Sequence, residues 1–115
     1  SQLVQIGVKL VFFQNRFYLV IWSFNMKEQV IQSKIIKDLE SRWYIVIKIT
    51  VSNMTGIPDL LVLTGWGKHL WIEVKKPDGV ESKLQEFRRK KFTEHWDVSI
   101  VCYGYEDFIR KYNNL

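Results

Sequence analysis

Asp59 and Glu73 stand fourteen residues apart, and Lys75 follows Glu73 by two. Each acid lies in an apolar run, Ile57-Pro58-Asp59-Leu60-Leu61-Val62-Leu63 for one and Leu70-Trp71-Ile72-Glu73-Val74 for the other. A carboxylate among apolar neighbours is costly unless it is paired, solvated or bound to a cation. An ordinary ion pair with Lys75 would satisfy one acid and leave about one negative charge unbalanced. A Mg²⁺ or Mn²⁺ ion, which takes oxygen ligands and keeps several waters, balances both. The chemistry such a trio can perform is phosphodiester hydrolysis. Lys75 can orient the attacking water or offset charge on the phosphoryl transition state, and if neutral it can act as a base.

Neighbouring strands must bring these three groups together. Side chains alternate along a strand, so Glu73 and Lys75 share one face while Val74 points into the opposite layer. Thr64-Gly65-Trp66-Gly67-Lys68 reads as a hairpin loop that lays the 57–63 strand beside the 69–76 strand. Upstream, Val30, Ile31, Ile35, Ile36 and Leu39 recur at helical spacing and predict a helix over 27–41. The set Trp43, Ile45, Ile47, Ile49 and Val51 alternates with Tyr44, Val46, Lys48 and Thr50, predicting a half-buried strand. Pro77-Asp78-Gly79 closes the Glu73 strand. A second helix is expected from Ser82 to about Glu94, with Leu84, Phe87 and Phe92 turned inward. A short buried strand over 98–103 and a terminal helix over 106–112 complete the order α-β-β-β-α-β-α. The fold class is α/β, a mixed α+β sheet with helices packed on it.

The groups Gly56-Ile57-Pro58-Asp59-Leu60, Ile72-Glu73-Val74-Lys75 and Gly79 through Ser82 to Gln85 resemble the virus-type replication-repair nuclease (VRR-NUC) domain. That family is a compact branch of the PD-(D/E)xK nucleases with a restriction-endonuclease-like core. The resemblance runs from about Glu28 to about Tyr103. It implies metal-dependent phosphodiester hydrolysis with a 5′-phosphate product. It also implies a preference for branched DNA, since stand-alone phage-type members resemble Holliday junction resolvases and act as homodimers. The implied setting is the cytoplasm of a phage-infected or bacterial cell. On this pattern Asp59 and Glu73 are the metal carboxylates, the backbone carbonyl of Val74 is a further ligand, and Lys75 is the catalytic lysine. The first-helix glutamate of the family falls on Glu28, with Gln32 one turn later on the same face. Asn25-x-x-Glu28 also fits a capping box. Gln85 matches the family's second-helix glutamine, and Ser82-x-x-Gln85 is equally a capping box.

The chain has 115 residues, 47% of them apolar, enough for one domain with one core. Seventeen Lys and Arg against twelve Asp and Glu give +5, a balance suited to a polyanion such as DNA. Lys76, Lys83, Arg88 and Lys90 are the expected phosphate contacts, although a basic helix face is also an ordinary solvated surface. Trp66 and Trp71 can stack on unpaired bases or serve as core and interface packing. Cys102 is the lone cysteine, which excludes a disulfide framework and fits a reduced cytosolic setting. His69 and His95 are too isolated for a His-rich zinc site. Residues 1–25 form a leader, read either as a β-hairpin turning at Gln14-Asn15-Arg16 or as sequence foreign to a natural chain that begins at Met26. The nuclease unit is then 26–115. A homodimer is expected because a four-way junction has two scission sites, and Trp43, Tyr44, Phe108 and Tyr112 look available for an interface. Two alternatives stay open: a non-catalytic DNA-binding module of this fold, and a nuclease acting on flaps or linear ends.

Overall fold

A computed structural model describes residues 7–22 and 27–115, and before residue 27 it describes the side chains of Phe12, Gln14, Asn15 and Arg16 alone. Strands β1 (Gly7–Phe13) and β2 (Arg16–Trp22) form an antiparallel hairpin in which Phe13 pairs with Arg16. Gln14 and Asn15 both carry positive φ (51° and 59°), the mirror-image turn whose twist matches a two-residue hairpin. The expected turn is present, with Arg16 already in the second strand. Asn25 and Met26 lie outside the described residues.

Helix α1 (Glu28–Glu40) buries Ile31, Ile35 and Leu39 of the predicted stripe together with Gln32, while Val30 and Ile36 are half-buried. A four-stranded sheet follows in spatial order β3 (Ile45–Lys48), β4 (Leu60–Gly65), β5 (Lys68–Lys75), β6 (Val98–Tyr103). The first three strands are antiparallel neighbours. Strand β6 pairs parallel to β5 after the crossover helix α2 (Lys83–Glu94). Helix α3 (Tyr105–Asn113) ends the chain. Among 27–115 the element order is the one the sequence predicts.

One face of the sheet carries the core. Leu60, Val62, Leu70, Ile72, Val74 and Cys102 pack there against Ile35 and Leu39 of α1 and Phe108 of α3. Burial pushes the Cys102 thiol up to about 12. The other face of β5, carrying Trp71 and Glu73, lies under α2: Phe92 packs on Trp71 with ring centroids 4.7 Å apart and planes tilted by 56°.

Three expectations need correction. The strand predicted over 43–51 is ordered as a strand only at Ile45–Lys48, and its faces are reversed. Tyr44 and Val46 pack on the core, whereas Ile45 and Ile47 are 60% and 41% exposed. Val46 is in register with Val62, so Val46 takes the core side, while Ile45 and Ile47 fall on the α2 face opposite Leu63 and Leu61. Second, α2 has no fully buried residue, and its expected inward side chains Leu84 and Phe87 are 42% and 49% exposed. Third, of the four aromatics proposed for an interface one is buried and two are half-buried. Phe108 is fully buried, and the Tyr44 and Tyr112 hydroxyls bond each other at 2.8 Å, leaving Trp43 as the exposed member.

Candidate active site

The segment Gly56 to Asp59 leads into β4 in a conformation that only glycine tolerates at its first position. Gly56 has φ +78°, and a Cβ there would lie 2.6 Å from Leu84 Cγ on α2. Close approach of this loop to α2 thus has a steric cause. Arg88 Nε strengthens the same contact by donating to the Thr55 carbonyl at 3.0 Å. Asp59 follows, immediately before β4, its carbonyl accepting the Ile49 N–H at 2.8 Å.

The hairpin β4–β5 pairs Leu60 with Ile72, which brings Asp59 alongside the Glu73-Val74 end of β5. Asp59 Oδ2 accepts the Val74 N–H at 2.9 Å. In an extended strand the N–H and C=O of one residue leave on the same side, so the Val74 carbonyl also faces the Asp59 side. Glu73 is 3% exposed, and its Oε1 has no hydrogen-bond partner among the described residues. Lys75 Nζ stands 3.8 Å from Glu73 Oε2, with both side chains on one strand face.

These surroundings push the Glu73 carboxyl up to about 8. Burial is the main cause; the neighbouring Asp59 comes next, with Glu28 adding a little. Lys75 opposes the shift without cancelling it. A buried acid held neutral by a second acid is the state that a hard cation relieves.

Gln85 occupies two roles at once. Its Oε1 accepts the Ser82 N–H at 2.9 Å and its own N–H donates to Ser82 Oγ at 3.1 Å, closing the capping box. Its Nε2 donates to Glu73 Oε2 at 3.0 Å. An amide with an acceptor at one atom and a donor at the other can cap its helix and hold the acid together. Glu28 is the first residue of α1, with Lys27 at the cap position, so Glu28 does not stand at the third position that a box with Asn25 requires. Gln32, one turn on, is 7% exposed and its Oε1 lacks a partner among the described residues.

The expected phosphate contacts differ in their surroundings. Lys83 is exposed, and Lys76 is half-buried beside the turn in which Gly79 N–H reaches the Lys76 carbonyl. Lys90 forms an exposed pair with Glu86 at 3.5 Å, and the Arg88 guanidinium is engaged with Thr55. Arg89, from the same basic run, holds Glu81 through two hydrogen bonds of 3.0 and 2.9 Å. Its role is to fix the approach to α2. No periodicity signals a pair eight residues apart. Trp71 is bound inside the fold, its Nε1 donating to Asp97 Oδ2 at 2.8 Å, and Trp66 is fully exposed at the hairpin tip. His69 faces Asp97 at 3.4 Å and His95 bonds the Lys91 carbonyl, so the two histidines do not meet.

Among the described residues no three His, Cys, Asp or Glu side chains converge into a full metal cage. The donors present are the Asp59 and Glu73 carboxylates, with Glu73 Oε1 lacking a partner among the described residues, and the adjacent Val74 carbonyl. That set fits a cation that keeps part of its hydration shell, as Mg²⁺ does. Among the described residues no helix is long and apolar enough to cross a membrane.

No family model and no curated protein matches the sequence. A solved chain described as a VRR_NUC domain matches with a TM-score of 0.66 at 21% identity, over 72% of this chain and 90% of that one. The mixed four-stranded sheet, its three helices and that superposition agree: over 72% of its length the chain has the fold of that VRR_NUC domain.

Proposed function

We propose that the chain is a divalent-metal-dependent endonuclease acting on structured DNA, with four-way junctions its expected substrate. The observation that carries this reading is a 3%-exposed Glu73 whose Oε1 has no partner among the described residues, next to a Val74 N–H held by Asp59 Oδ2 at 2.9 Å and with Lys75 Nζ 3.8 Å away. An ordinary ion pair would leave the second acid uncompensated. Asp59, Glu73 and the Val74 carbonyl would hold Mg²⁺ or Mn²⁺. When bound, the ion supplies Lewis-acid polarisation of the phosphate and a more acidic water.

The remaining work falls to the chain's own groups. Lys75 orients a water for in-line attack on phosphorus and offsets charge on the equatorial oxygens. The new P–O bond forms as the bond to the 3′-oxygen breaks. That oxygen takes up a proton, leaving a 3′-hydroxyl and a 5′-phosphate. Gln85 holds Glu73 in place, and Glu28 with Gln32 lines the α1 side. Lys76, Lys83 and Lys90 receive the DNA backbone, supported by the net charge of +5.

A junction has two symmetric scission sites, so a C₂ homodimer is the matching assembly. The uncovered Ile45 and Ile47 on edge strand β3, with Trp43 beside them, favour such a contact. The test is a panel of linear, flap, splayed and four-way DNAs with Mg²⁺, Mn²⁺ or EDTA, run beside Asp59→Ala and Lys75→Ala. Metal-dependent cutting of the junction, absent from both variants, is expected. Cutting that survives Asp59→Ala overturns the site, and binding without cutting in any metal leaves only a DNA-binding module.

A further inference from the structure

One recess beside the acid pair has no part in the hydrolysis described above. It has a volume of about 500 Å³ and is lined by Met54, Trp71, Phe87, Phe92, Arg88 and Lys91, with His95 and Asp97 at its edge. Trp71 and Phe92 line it with their rings tilted 56° to each other. Its other apolar walls are Phe87 of α2, 49% exposed, and Met54 of the loop before β4, 40% exposed, both left facing water. Arg88 Cζ and Lys91 Nζ sit 5.6 and 5.5 Å from the centre of the Phe87 ring. The lining acid, Asp97, is engaged by the Trp71 indole at 2.8 Å and by His69 at 3.4 Å.

The recess and the acid pair are linked through β5, α2 and the loop before β4. Trp71 precedes Glu73 by two residues on the same strand face, roughly 7 Å along β5. Arg88 follows Gln85 by about one turn of α2, and Gln85 touches Glu73. The loop that presents Asp59 also supplies Met54, and Arg88 binds that loop at the Thr55 carbonyl. A ligand held in the recess is thus placed beside a phosphate at Asp59 and Glu73.

We propose that the recess binds an unpaired nucleobase of the DNA whose phosphate lies at the acid pair, an inference that rests on the nuclease reading of that pair. A base offers a flat π face to Phe87 and Trp71, while the flanking phosphates meet Arg88 and Lys91. Stacking on aromatic side chains beside cations is how single-stranded nucleic acid is held without sequence preference. A base kept within a paired duplex stays in its stack and does not reach the slot. The recess therefore selects DNA with an unpaired nucleotide next to the scissile phosphate, a physical source for choosing branched over continuous duplex.

The test is run in EDTA, so that no cutting is required. The full chain is titrated into a duplex carrying 2-aminopurine either unpaired in a bulge or paired in the same sequence. The unpaired probe should be quenched and bound about tenfold more tightly, the scale of one base stacked on an aromatic side chain. Phe87→Ala should lose both effects and Phe87→Tyr keep them. Met54→Ala, which opens the opposite wall without altering α2, should lose part of the affinity and serves if Phe87→Ala misfolds. Equal quenching of both probes, or full quenching by Phe87→Ala, overturns the proposal. So does a dimer by light scattering that Phe87→Ala splits, since the recess is then a protein interface. Base binding with no cutting in any metal overturns only the hydrolase reading. Cutting that ignores both Phe87 and the unpaired base overturns only the recess.

Discussion

Gln85 Nε2 donates to Glu73 Oε2 at 3.0 Å while Gln85 Oε1 accepts the Ser82 N–H at 2.9 Å, so one amide joins the start of α2 to the buried acid of β5. Helix placement and acid placement are therefore coupled, and single substitutions can separate them.

Ser82→Ala removes the hydroxyl that accepts the Gln85 N–H and is expected to cost about 1 kcal/mol of stability with cutting retained. Gln85→Leu removes the cap and the bond to Glu73 together. It should show a similar stability loss and, in addition, a fall in cutting of at least about tenfold, the usual scale for a group that orients a metal ligand. Thermal melts and single-turnover cutting of both variants check this. Equal activities would mean that Gln85 serves its helix alone.

Glu73 gives a pH dependence of definite sign. Its carboxyl titrates from an ordinary 4.5 in the unfolded chain and about 8 in the fold, so the native state binds the extra proton. The associated stability is fully present below about pH 4.5 and is lost as pH rises through about 8. In EDTA the Tm of the wild type should fall across that window. Glu73→Gln, neutral at every pH, should fall less and overtake the wild type near pH 8 while abolishing cutting. Parallel curves would refute the assigned shift.

Gly56→Ala adds a Cβ 2.6 Å from Leu84 Cγ on a backbone at φ +78°. The clash and the left-handed backbone together should destabilise by about 2 kcal/mol, read from denaturant midpoints. Adding Leu84→Ala removes the clash alone and should recover only part of the loss. Complete recovery would show that the backbone angle carries no cost.

Lys83→Ala and Lys90→Ala should weaken DNA binding uniformly across sequences, each lowering the slope of log K against log salt by about 1. Arg88→Ala should behave differently, because Arg88 also restrains the Asp59 loop through Thr55. A drop in cutting at saturating DNA, beyond the loss of affinity, is the expected mark. Affinities over a salt series, with single-turnover rates, separate the two cases.

The sequence alone determined the element order from α1 to α3 and the shared face of Glu73 and Lys75. Strand alternation and helical periodicity are local rules, and motif spacing lies within one hairpin. It also made Asp59, Glu73 and Lys75 legible, since charges in apolar runs require a partner. Only the tertiary structure decided what lies opposite what. Register with Val62 turned Val46 rather than Ile47 to the core, and the position of α2 over β5 left Phe87 and Leu84 partly in water. Helix packing buried Phe108, which the sequence offered as an interface residue. The Gln85–Glu73 bond and the recess against Trp71 join elements separated in the chain. No local pattern encodes such contacts, because they arise only when the sheet and α2 close on each other.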